Sequence, residues 1–239
     1  MLVSQGEARS LAADRRLAWS LAAVAGALNA AAFQAVGFFS ANMTGNVSSA
    51  SARVAGGDVM MAGFYGAVVA AFIGGATASS LLINLGRRQG MPAIYAYSIL
   101  AEALLMTLVG MVCLAVPGRL GHDALILGLS FLMGLQNAVV TRISAARVRT
   151  THVSGMVTDI GIALGVLIDV ALGRETGVDP APFRAQLRLH VETVLSFLAG
   201  GVVGVMVYRQ VGAALLLGTA TCLLALALPG IARARRMAA

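Results

Sequence analysis

Residues 149–173 read RTTHVSGMVTDIGIALGVLIDVALG, and the fold turns on whether they cross a membrane. The stretch is apolar enough to enter a bilayer, yet it carries Asp159 and Asp169. The polar residues that follow, 174–188, hold Arg174, Arg184 and Arg188. A full crossing would deliver those arginines to the opposite face. Cytoplasmic segments of membrane proteins carry the excess of Lys and Arg, so the other arginines decide the matter.

Six further runs approach the roughly 20 apolar residues that a bilayer core requires: 17–39, 59–85, 93–116, 124–141, 189–208 and 211–229. With six crossings and a cytoplasmic N-terminus, fourteen arginines lie inside and only Arg53, Arg119 and Arg209 lie outside. A crossing at 153–172 would spoil that split. The sequence therefore predicts six spans with both termini cytoplasmic, and a short helix near 154–172 that re-enters the membrane or lies at its surface. Residues 40–58, SANMTGNVSSASARVAGGD, follow the first span in the same way and predict a short helix near 44–57. Thr44-Gly45 and Ser154-Gly155 open these helices, hydroxyl residues being good N-caps. The first run has 23 residues, too long for a signal-peptide core, and reads as an uncleaved span. Residues 1–16, with Glu7, Arg9, Asp14, Arg15 and Arg16, and residues 230–239 read as cytoplasmic tails.

Composition agrees. Of 239 residues, 59% are hydrophobic and 11% charged, and mean hydropathy is +0.86. A soluble domain carries about 25% charged residues, so this chain cannot clothe a water-facing surface. Disorder and coiled coil fail for the same want of charge. The net charge of +7 is carried by Arg alone, with no Lys. Because the arginines sit in short gaps between apolar runs, they point to membrane orientation and not to a nucleic-acid face. Cys113 and Cys222 stand mid-run as small buried hydrophobes, and no spacing implies a metal, disulfide or cofactor. The fold class is an all-α, polytopic membrane protein.

The chain repeats itself. Gly26-Ala27-Leu28-Asn29-Ala30 pairs with Gly134-Leu135-Gln136-Asn137-Ala138, and Asn42-Met43-Thr44-Gly45 with His152-Val153-Ser154-Gly155. Phe72-Ile73-Gly74-Gly75 pairs with Phe197-Leu198-Ala199-Gly200, once the insertion 174–188 is allowed for. The units are 17–116 and 124–229, three spans each. An odd number of spans inverts the second copy, an arrangement common in transporters with sites near the membrane midplane.

At Gly26–Ala30 with Ala41-Asn42-Met43-Thr44-Gly45-Asn46, and at Gly134–Ala138 with residues 149–155 and Asp159, the chain resembles the YoaK-like family. These are bacterial integral membrane proteins classed as a domain of unknown function. The resemblance covers nearly the whole chain, with MTGN its most specific part, and implies a bacterial inner-membrane protein. The family commonly has Asp where this chain has Asn29.

Polar groups within lipid are expensive and need a partner or a task. Asn29 and Asn137 occupy equivalent places and serve either as interhelical glue or as solute contacts. Gln34 and Gln136 read as glue. Asn42, Thr44, Gly45 and Asn46, with Arg149, His152, Ser154 and Gly155, read as two helix N-termini that offer N–H groups and partial positive charge to a solute. Asp159, with Arg147, Arg149 or His152 as partner, is one proton-coupling candidate. Glu102, ten residues into the third span, is the other, with Asn29 or Arg149 as partner. Desolvated carboxyls lean toward the neutral form that exchanges protons.

The small-residue face Gly63, Gly66, Ala67, Ala70, Gly74 and Ala78, and Gly200 with Gly204, permit tight packing within the chain or in a homodimer. Trp19, Tyr95 and Tyr208 read as interfacial belt residues. The function expected is a small secondary transporter or facilitator of a small polar or anionic solute, with proton coupling through Asp159 or Glu102 as its candidate drive. A membrane enzyme and a non-transporting scaffold or regulatory subunit are the alternatives. No metalloprotease, hydrolase-elbow or phosphate-loop signature occurs.

Overall fold

The computed structural model describes Leu2, residues 10–116 and residues 118–238. Glu7 and Arg9 of the expected tail lie outside the described residues. Among the described residues the chain is all helix: α1 (Leu11–Val36), α2 (Met43–Ala55), α3 (Val59–Arg88), α4 (Ile94–Ala115), α5 (Arg119–Ile143), α6 (Val153–Ala171), α7 (Ala181–Val211) and α8 (Leu215–Ala238). A single 3-10 turn, Gly212–Ala214, joins α7 to α8, with Gly212 at φ 56°.

Helix α1 starts six residues before the apolar run because Ser10 caps it, its Oγ accepting from the Ala13 N–H at 3.2 Å. Asp14, Arg15 and Arg16 therefore ride on helix and not on a loose tail. Asp14 is 1% exposed and ion-paired to Arg147 at 2.9 Å. Arg15 grips both oxygens of Glu192, at 2.6 and 2.7 Å. Asp58 caps α3 through the Met61 N–H.

Helix α1 packs on α7, α3 on α5, and α4 on both α5 and α8, while α2 lies on α3 and α6 on α7. Two crossings bring backbones into contact. A Cβ on Gly26 would collide with the Phe197 backbone, and one on Gly200 with Ala23; likewise Gly134 faces Phe72 and Gly75 faces Phe131. Arg15–Glu192 at one end and Gln34–Arg209 (3.2 Å) at the other make α1 and α7 parallel. Arg142, bonded to Asn84 at 2.8 Å, does the same for α5 and α3.

Several sequence expectations are corrected. Gly63 and Gly66 meet nothing within 4 Å, and Ala67 and Ala70 are exposed; close contact on α3 runs instead through Phe72 and Gly75. Gly200 and Gly204, by contrast, do pack tightly as expected, within the chain against Ala23 and Ala27 of α1. Tyr95 is 2% exposed, a core residue and not a belt one, whereas Trp19 is exposed. Cys222 is exposed and Cys113 half-buried, so neither is a fully buried hydrophobe. Helix α6 is not short. With no Gly-Pro break between Val153 and Ala171, its nineteen residues span about 28 Å at 1.5 Å each.

The stretches long and apolar enough to cross a membrane are α1, α3, α4, α5, α6 and the continuous segment Ala181–Arg236 that contains α7 and α8. Ile73 and Leu81 on α3, Leu104 and Leu108 on α4, and Leu198 and Val202 on α7 are exposed. Large apolar side chains so placed have lipid as their solvent. The protein is membrane-embedded and multi-pass.

Candidate functional site

Each half of the chain folds a loop back onto the helix before it. After α1 ends at Gly37 (φ 76°), Asn29 Oδ1 accepts the Ala41 N–H at 2.8 Å. This draws residue 41 back by about two turns of α1, roughly 10 Å. Asn46 fixes the loop from the other side, its Nδ2 donating to the Phe39 carbonyl at 3.0 Å. Asn42 caps α2 by accepting the Gly45 N–H at 3.0 Å.

The second loop is built alike with other groups. Asn137 Oδ1 accepts from Thr151 Oγ1 at 2.8 Å, and its Nδ2 donates to the Met133 carbonyl at 2.7 Å. Ser144 Oγ accepts the Val148 N–H at 3.0 Å, and Arg147 reaches Asp14. Ala145 and Ala146 take positive φ (51° and 63°), where the first loop uses Gly37. His152 precedes α6 without making a side-chain cap bond. Its imidazole lies over Gly155, as the Asn42 amide lies over Gly45; a Cβ on either glycine would overlap the ring or the amide. Only glycine allows this approach.

Between the loops lies a cavity of about 550 Å³. Of the residues singled out from sequence, Asn29, Asn42, Thr44, Asn137, Arg149, His152 and Ser154 line it. Gly45, Asn46 and Gly155 do not, and serve instead to shape the two helix starts. Phe39, Phe72, Phe197, Thr141 and Thr151 also line the cavity and were not singled out as site residues. Phe72 and Phe197 do appear in the repeat alignment, but an apolar residue in an apolar run carries no mark of which way it faces.

Among the described residues no carboxylate lines this cavity. Arg149 Nη1 lies 2.9 Å from His152 Nδ1. A guanidinium only donates, so Nδ1 accepts and the imidazole carries its proton on Nε2. Arg149 also lines a second cavity of about 550 Å³, shared with Arg147, Asp159 and His190. Asp159 lies 3.7 Å from His190 Nδ1. Its expected partners were Arg147, Arg149 and His152, but Arg147 is ion-paired to Asp14, and Arg149 and His152 bond to each other. Glu102 is fully buried as expected, yet its partner is neither Asn29 nor Arg149. It accepts from Gln136 Nε2 at 3.0 Å, away from both cavities, because α5 turns Gln136 and the adjacent Asn137 to different sides.

A family model described as protein of unknown function (DUF1275) matches residues 17–228. Comparison with curated proteins and with solved structures gives no match.

Proposed function

We propose that this chain, which belongs to the DUF1275 family, is a secondary transporter or facilitator of a small polar or anionic solute in the bacterial cytoplasmic membrane. It is built as two inverted three-span repeats, with α2 and α6 as additional helices that begin at the cavity and leave toward opposite faces. Both termini are cytoplasmic. One observation carries this reading: a single cavity is lined in pairs by equivalent residues of both halves, Asn29 with Asn137, Asn42 with His152, Thr44 with Ser154, and Phe72 with Phe197. The reciprocal glycine contacts, Gly26 on Phe197 and Gly134 on Phe72, have the same symmetry. A site at the join of two inverted repeats, faced by helix N-termini, is how such transporters hold a solute.

Proton linkage is placed at Asp159. It neighbours His190 and shares a cavity with Arg149, which touches the central cavity too. Glu102 is sealed off from both. The enzyme reading loses support because His152 Nδ1 already accepts from Arg149, and so is not the base that would activate Ser154.

Uptake into proteoliposomes tests the proposal. Solute should accumulate under an inward proton gradient, and Asp159→Asn should abolish accumulation while leaving counterflow intact. Accumulation by Asp159→Asn equal to the parent would end the proton role. The absence of any saturable flux across a panel of polar and anionic solutes would favour the scaffold reading.

A further inference from the structure

Resting on the transport reading above, we infer that the solute is a small organic monoanion: one carboxylate on an apolar body of about the size of a single aromatic ring. The charge of the wall comes first. Among the described residues, Arg149 is the formal charge lining the central cavity, and no Asp or Glu lines it. Arg147 is matched by Asp14, while Asp159 lies 3.7 Å from His190 and faces the second cavity, not this one. Arg149 meets a neutral ring nitrogen instead. Arg149 is exposed at the cavity mouth, and its guanidinium offers there a fork of donors that fits one carboxylate.

The hydrogen-bonding character of the wall points the same way. Each of the three cavity asparagines already accepts one protein hydrogen bond at its amide oxygen: Asn29 from Ala41, Asn42 from Gly45 and Asn137 from Thr151. Asn137 Nδ2 also donates to the Met133 carbonyl, so the amide N–H groups of Asn29 and Asn42 are the fuller supply left for a solute. Asn29 is 7% exposed, and its Nδ2 donates to none of the described residues. The two helix starts also differ. Helix α2 is capped by Asn42, whereas α6 has no side-chain cap because its His152 is engaged by Arg149. Open N–H groups and a guanidinium therefore coincide at α6, and the carboxylate belongs there.

Beside the hydroxyls of Thr44, Thr141, Thr151 and Ser154, the cavity has an apolar wall. Phe39, Phe72 and Phe197, with Met43 and Val153, would be left against water by a bare inorganic anion. An apolar body covers them.

Isothermal titration of the purified full chain with benzoate, benzamide, benzylammonium and sulfate tests the inference. Benzoate alone should saturate. Arg149→Gln should weaken it by about tenfold or more, and Arg149→Lys should restore part of the loss. Phe197→Leu should weaken benzoate while leaving the melting temperature near that of the parent. Equal binding of sulfate would overturn the apolar half of the inference, and equal binding of benzamide or benzylammonium the anionic half. No binding of millimolar benzoate would overturn it entirely. Counterflow separates this from the transport reading. Benzoate that binds but is never carried ends transport and leaves the ligand class standing; saturable flux of a neutral or inorganic solute, without benzoate binding, does the reverse.

Discussion

Glu102 and Gln136 pose a sharp question of hydrogen-bond supply. Gln136 Nε2 donates to Glu102 Oε1, while Glu102 Oε2 and Gln136 Oε1 are both buried without a partner. One hydrogen on Oε2, directed at Gln136 Oε1, would complete a reciprocal pair and satisfy both atoms. A carboxamide at position 102 supplies that hydrogen permanently. Glu102→Gln should therefore melt within about 1 kcal/mol of the parent in detergent, at every pH tested. Glu102→Leu keeps the bulk but strands Gln136, and should cost about 1–3 kcal/mol. A leucine variant as stable as the parent, with a less stable glutamine variant, would refute the pairing. Asp14 is the other buried acid with a defined task, tying α1 to the loop that leads into α6. Removing it leaves Arg147, itself about a third exposed, without its carboxylate. Asp14→Ala should cost about 2–3 kcal/mol by thermal melting, less than a fully buried pair would.

At the scale of helices, the two close crossings make a paired prediction. Gly26→Ala and Gly134→Ala each drive a methyl into the backbone of the facing helix, whereas Gly66 of α3 meets only open space. The first two should destabilise by similar amounts, about 2 kcal/mol or more, since overpacking against backbone cannot be relieved by a rotamer change. Gly66→Ala should be neutral or gain up to about 1 kcal/mol from helix propensity. Unequal effects at Gly26 and Gly134 would argue against equivalent crossings. Helix α6 also shows what length alone conveys. It is as long and apolar as a span, yet it starts beside the central cavity and packs chiefly on α7. Composition did not reveal its length as a surprise; the arginines after it, not its apolar content, were the informative feature.

For the whole molecule, the topology is open to a direct check. In a background with Cys113 and Cys222 replaced by Ala, Ala55→Cys should react with an impermeant thiol reagent added to intact cells. Asp179→Cys should react only after the membrane is opened. Labelling of Asp179→Cys from outside would mean that α6 completes a crossing, and the orientation drawn from the arginines would fall.

Much was legible in the chain itself. Hydropathy marked the long helices, and the Asn29 and Asn137 alignment marked two residues that line one cavity. The hydroxyl-glycine pairs fell within the first turns of α2 and α6, but Thr44 and Ser154 are not the caps expected of them: Asn42 and His152 hold the N-cap positions. Hydropathy and spacing are local properties, which a sequence carries in full. Tertiary structure decided the partners: Gln136 for Glu102, His190 for Asp159, Asp14 for Arg147, and Phe72 with Phe197 as cavity walls. It also decided that Tyr95 and Gly75 face inward while Gly63 and Gly66 do not. The reason is the solvent. In water, an apolar stripe separates the buried face of a helix from the exposed one; lipid is as apolar as a protein core, so the helices here are hydrophobic on both faces and the inward side is chosen only when they pack.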